Sequence, residues 1–155
     1  MRPSKYQTYM DIAEVAAKRS HDAETKVGAV LINNESGAVI NTGCNGFVRG
    51  ADDSTLPNTR PDKYPYIMHA EQNLIANCAR HGISMNNCML VCTLSPCVTC
   101  MRLMFQCGIT KIVVKNLYKD FEELQKMKDI EVTKTMTNPE GYYELIYRVS
   151  QKLSP

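Results

Sequence analysis

The stretch Pro96-Cys97-Val98-Thr99-Cys100 constrains this chain more than any other. It follows "NCMLVCTLS", an apolar run of strand length. It precedes "MRLMFQCG", which has helical spacing and a glycine stop. Proline is favoured in the first helical turn, so the motif sits where a strand hands over to a helix. There the two thiols lie one turn apart on one face and form a chelating pair for a tetrahedral, soft-ligand metal, for which zinc fits best. The open N–H groups and dipole of that helix end favour thiolates. A third ligand has to come from another element that begins nearby, and His69 is the histidine at another helix start. If both helices begin at the same edge of a sheet with parallel strands, their N-termini meet there.

The rest of the chain is read around that junction. Residues 4 to 19 carry a broad apolar stripe of helical period. "KVGAVLIN" and "GAVINTGCNG" read as strands joined by the turn-rich "NNESG", hence an antiparallel hairpin. Residues 45 to 65 break on glycine and proline without periodicity, a loop long enough to suggest function. A helix is expected from His69 to Arg80, stopped at Gly82. After the cysteine helix come a strand "KIVVKN", a helix "KDFEELQKMKD", a strand "IEVTKTM" and a last helix over "PEGYYELIYRVSQKL". Right-handed crossovers make the last three strands parallel. The expected architecture is α/β: a three-layer α-β-α sandwich around a five-stranded mixed sheet, with the N-terminal hairpin at one edge and residues 1–155 as a single domain.

Composition narrows the function classes. The net charge of +2 and the absence of tryptophan give neither a field nor a stacking platform for nucleic acid. No apolar run in the first 20 residues is long enough for a signal peptide or a membrane span. Seven cysteines without a secretion signal fit a reducing cytoplasm. Cys44, Cys78, Cys88, Cys92 and Cys107 read as small buried hydrophobes.

Three protein ligands leave one zinc position open, which marks a catalytic site rather than a structural one. Zinc at +2 with two thiolates and a neutral imidazole sums to zero charge, so the metal acidifies a bound water less than an all-histidine site would. A separate base is needed. Glu71, two residues after His69 and therefore on a different helix face, supplies it without ligating the metal. Two plainer readings stand beside this one. A lone C-x-x-C also serves as a redox pair. Cys78 and His81, spaced i,i+3 and about 14 to 18 Å further along the helix, are candidates for a fourth ligand or a second zinc.

His69-Ala70-Glu71 followed by Pro96-Cys97-Val98-Thr99-Cys100 resembles the H-x-E…P-C-x-x-C signature of zinc-dependent nucleobase deaminases. "AAKRSHDAETKVGAVL", "TGCNGFVRGADD" and "KYPYIMHAEQNLI" are similar to the deoxycytidylate (dCMP) deaminase branch of the cytidine/deoxycytidylate deaminase family. The chain departs from it at Cys44, where that family usually has tyrosine. The resemblance covers about residues 4 to 135. It implies the cytidine-deaminase-like fold and hydrolysis of dCMP to dUMP and ammonia, with Glu71 carrying the protons. It further implies Asn45, Ala70, Ser95 and Tyr118 around the nucleoside, Arg19 and Lys26 near its phosphate, a hexamer, and regulation by dCTP (activating) and dTTP (inhibiting). The effector loop would use Gly43, Asn45, Gly46, Phe47, Arg49, Asp52 and Asp53. Its glycines and arginine suit phosphate, and its aspartates suit a shared Mg2+. The rival readings are a tRNA adenosine, cytosine or guanine deaminase of the same core, and a non-catalytic zinc module.

Overall fold

Residues 1–118, 121–134 and 141–148 are described by a computed structural model. The elements are α1 (Lys5–Ala17), β1 (Gly28–Asn33), β2 (Val39–Cys44), α2 (Ala70–His81), β3 (Cys88–Leu94), α3 (Val98–Gln106), β4 (Ile109–Asn116), α4 (Phe121–Lys126), β5 (Ile130–Lys134) and β6 (Tyr143–Tyr147). The strands form one six-stranded sheet in the order β2-β1-β3-β4-β6-β5. As expected, β1 and β2 are an antiparallel hairpin at one edge and β3 runs parallel to β4. Among the described residues no helix is long and apolar enough to cross a membrane.

Strand alternation sorts the core into two layers. Ala29, Leu31, Leu90, Ile112 and Val114 face one side, against Leu74 of α2, Met101 and Met104 of α3 and Leu124 of α4. Val30, Ile32, Met89, Val91 and Val113 face the other, against Tyr9, Met10 and Ala13 of α1. Helix α1 lies so close that Gly28 is the only residue that fits there: a Cβ would run into the backbone of Ala13 and Ala17.

The last helix of the sequence reading is overturned where it is described. Residues 143–147 are a strand, and the remainder of 139–153 lies partly outside the described residues. Tyr142 and Leu145 are spaced i,i+3, which suits a helix face, and short apolar runs are ambiguous between the two states. Here the two side chains point to opposite faces of the sheet, Tyr142 into the α1 layer and Leu145 into the α2–α3 layer. Strand β6 pairs antiparallel with β4 (Ile112 opposite Leu145) and with β5 (Val132 opposite Leu145). It therefore inserts between two strands expected to be neighbours, and the sheet has six strands rather than five. Strand β5 still runs in the direction of β4.

Leu145 is fully buried, whereas Ile146 is 36% exposed. Leu145→Ala is expected to cost about 2–5 kcal/mol and Ile146→Ala less than about 1 kcal/mol, read from urea unfolding. Equal losses at the two positions would contradict the strand.

Candidate active site

Helices α2 and α3 both begin beside the end of β3. His69 is the N-cap of α2, with extended backbone, and its N–H donates to Gln72 Oε1 at 2.9 Å. Cys97 is the N-cap of α3, and its sulfur accepts from the Cys100 N–H at 3.4 Å. A two-residue bridge pins the chain just before His69: Gly46 N–H donates to Met68 O at 3.0 Å, and Met68 N–H to Gly46 O at 2.8 Å. His69 Nδ1 consequently lies 3.7 Å from Cys97 Sγ and 3.4 Å from Cys100 Sγ. A tetrahedral zinc with bonds of the usual length spaces such ligand atoms about 3.5–3.8 Å apart, so the residues fit the metal. Among the described residues this is the one cluster of three potential metal-ligating groups drawn so close together. Cys78 and His81 gain no third partner of that kind; Cys78 Sγ instead accepts from Asn41 Nδ2 at 3.1 Å.

The donor set is already anionic in character. Hydrogen bonds from Cys100 and from His69 hold the Cys97 thiol down, to about 4. The proton remains with Cys100, whose pKa is pushed up by that hydrogen bond to Cys97 and by burial. The hydrogen bond to Cys97 also raises His69. A cation entering this triad displaces shared protons.

Glu71 lies one step inside the helix and is 3% exposed. Burial raises its pKa, although a hydrogen bond from Cys92 acts in the opposite direction. Glu71 lines the same cavity as His69 and Cys97. Asn45, Ala70, Ser95 and Tyr118 line it too, so those expected residues converge. Ser95 and Tyr118 are coupled: Ser95 N–H donates to Asn116 O at 2.9 Å, and Tyr118 N–H to Ser95 Oγ at 2.7 Å. Asn45 commits its amide to the wall, its Oδ1 accepting from Val27 N–H at 2.9 Å and its Nδ2 donating to Thr25 O at 2.8 Å.

Two expected residues fall elsewhere. Arg19 lines a second cavity on the far side of Asn45, and Lys26 lines a third, its Nζ donating to Ser20 O at 2.6 Å. The cations of the first cavity are Arg60 and Lys63, which the sequence reading did not single out. Lys63 is buried against Asp22, with Nζ 2.9 and 2.7 Å from its two oxygens. Arg60 is paired to Glu24 at 3.3 Å and donates to Thr25 Oγ1 at 2.8 Å. These contacts dock the long loop onto residues 22–25. The sequence signal for them was a cluster of charges, Arg60, Asp62 and Lys63, directly upstream of His69.

The second cavity is lined by Gly43, Asn45, Gly46, Phe47 and Arg49 from the expected effector set. It adds Arg19, His21 and Arg80, which were not foreseen in that role. Asp52 and Asp53 do not line it. Asp52 Oδ1 accepts from Ser54 N–H and Oγ at 3.0 and 2.6 Å, and Asp53 pairs with His21 Nε2 at 3.0 Å.

A sheet with helices on both faces and a His-Cys-Cys triad beside a buried carboxylate defines a zinc-dependent hydrolytic site. Residues 3–116 match the family described as the cytidine and deoxycytidylate deaminase zinc-binding region, and the chain belongs to it. It is an enzyme of the deaminase class. More particularly, it is 34% identical over 122 residues to the deoxycytidylate deaminases of Mus musculus and Homo sapiens, a match spanning 74% of this chain and 67% of either relative. The dCMP deaminase of cyanophage S-TIM5, solved in complex with dCMP and dUMP, is 30% identical with a TM-score of 0.69, covering 81% of this chain and 93% of the phage chain.

The Asp22–Lys63 pair yields a stability prediction. Burial alone would raise the Asp22 carboxyl, but the Lys63 hydrogen bond and the Thr25 and Glu24 N–H groups outweigh it and hold the pKa below the ordinary carboxylate range. A depressed pKa contributes stability that is present above that range and is lost as pH falls through the folded value. Lys63→Met should cost about 3–5 kcal/mol near neutrality, because it strands a buried charge. It should also flatten the loss of stability below about pH 4. Urea melts of both proteins from pH 3 to 7 check this; parallel acid limbs would contradict it.

Proposed function

We propose that this protein hydrolyses dCMP to dUMP and ammonia, with His69, Cys97 and Cys100 as zinc ligands and Glu71 as the proton carrier. The observation behind this reading is the convergence of those four side chains on one cavity. Zinc, when bound, supplies a Lewis acid that activates water for attack on the ring carbon bearing the amine. Glu71 then moves two protons in sequence: it takes the first water proton and delivers it to ring N3, then takes the proton left on the added hydroxyl as the carbonyl forms and delivers it to the departing amine. Its burial suits this, because a carboxyl that must hold a proton in mid-cycle is better placed away from water. Ala70, Ser95 and Tyr118 are the walls available to orient the ring.

A deoxynucleotide substrate is supported by the names of the mouse and human relatives and by the nucleotides in the cyanophage complex. In this chain Arg60, paired to Glu24 but 39% exposed, is the accessible cation of the cavity, whereas Lys63 is 3% exposed against Asp22. Arg60 therefore takes the phosphate role first expected of Arg19 and Lys26. Cytoplasmic residence and assembly into a homo-hexamer belong to the same reading, and Leu103, 43% exposed on α3, suits such a contact.

Ammonia release should be far faster from dCMP than from deoxycytidine, cytosine, guanine or an RNA stem-loop, and should cease with a chelator. Glu71→Gln should retain zinc and lose at least about a hundredfold in turnover. Wild-type turnover in that variant, or equal use of dCMP and deoxycytidine, would sink the assignment.

The second cavity supports regulation by dCTP and dTTP. Three arginines, Arg19, Arg49 and Arg80, with the Gly43 and Gly46 backbone, match a triphosphate that carries its own Mg2+. Asn45 lines both cavities, so it joins effector and substrate walls. dTTP with magnesium should inhibit, dCTP should oppose it, and Arg49→Ala should weaken both while leaving turnover at saturating dCMP unchanged. Hyperbolic dCMP kinetics unmoved by millimolar dTTP or dCTP would refute this.

A further inference from the structure

The carboxylate at the centre of the reaction rests on a residue that the sequence reading took for a plain hydrophobe. Cys92 lies on β3, paired with Ala29 of β1, and it faces the α2–α3 side of the sheet. It is 0% exposed. Its sulfur stands 3.1 Å from Glu71 Oε1, inside the range for a thiol hydrogen bond. Its neighbours Ala29, Leu90 and Val114 are apolar, and the carboxylate also accepts from its own backbone N–H.

The direction of the bond follows from chemistry. A carboxylate is an acceptor, and the thiol is the partner with a proton to give. Burial, together with the adjacent Glu71 charge, pushes the Cys92 thiol far up, so it stays protonated and keeps donating. An apolar residue of similar size, such as valine, would fill the same space without donating.

We propose that Cys92 is a positioning residue for catalysis: its S–H holds Glu71 Oε1 against the sheet and leaves Oε2 to carry protons at the zinc cavity. This rests on the role given to Glu71 above. A general base works only within hydrogen-bond reach of the atoms it serves, and an unanchored carboxylate samples rotamers that miss them. The effect should fall on the chemical step rather than on substrate binding, because Cys92 does not line the cavity.

The test compares Cys92→Val, Cys92→Ala and Cys92→Ser in the zinc-loaded protein, with metal content checked in each. Valine and alanine should lower kcat about five- to thirtyfold with KM for dCMP within twofold, whereas serine, which keeps a donor, should stay within threefold of wild type. A second readout needs no turnover. The S–H stretching band that disappears from the infrared spectrum in Cys92→Val should sit at the low frequency of a hydrogen-bonded thiol in the wild type, and should move when Glu71 becomes glutamine. A wild type inactive on dCMP that shows the shifted band would overturn the proposed substrate and leave the contact standing. A free-thiol band, unchanged kcat in Cys92→Val, or equal losses with valine and serine would overturn the role of Cys92.

Discussion

Two helix starts meeting at one end of β3 set the geometry on which the site depends. A metal with short, directional bonds tolerates little error in ligand spacing, and long side chains on loops do not supply that accuracy. Here the candidate ligands are two N-cap residues and one residue in the first turn of α3. Their backbones are fixed by helix hydrogen bonds on one side and by the sheet on the other. The apolar layer of Leu74, Met101 and Met104 under the two helices locks their relative position. The 3.4 and 3.7 Å separations around His69 Nδ1 are thus a product of core packing.

What the sequence revealed were features carried by near neighbours. The strand, proline and paired cysteines of residues 87–100 are contiguous, as are His69 and Glu71, and turn chemistry announced the first hairpin. Hidden were features made by distant partners. Asp22 and Lys63 lie 41 positions apart, and nothing local marks either as buried. Cys92 reads like its apolar neighbours until Glu71 stands over it. The family resemblance implied Arg19 and Lys26 as phosphate neighbours, yet they line other cavities than the one that holds Glu71. Residues 143–147 defeated the periodicity argument because Tyr142 and Leu145 are both buried, but on opposite faces of a sheet.

The short segment 20–25 connects much of this. His21 stacks on Phe47 with ring centroids 5.1 Å apart and reaches Asp53, on the side of the arginine-lined cavity. Asp22, the next residue, turns inward to Lys63 and toward Asn45. One segment thereby braces both ends of the long loop, and the walls of the two cavities share a single piece of backbone.

The placement of β6 bears on the order in which the sheet can be completed. It is translated after every other described strand, yet it sits inside the sheet, between β4 and β5. As the chain leaves the ribosome, β4 presents an unpaired edge until residues 143–147 emerge, and β5 has nowhere to dock before then. An open edge of that kind is a template for pairing with another chain. The nascent protein is therefore most adhesive at the moment when the residues of its candidate site have all been made and its sheet has not yet closed.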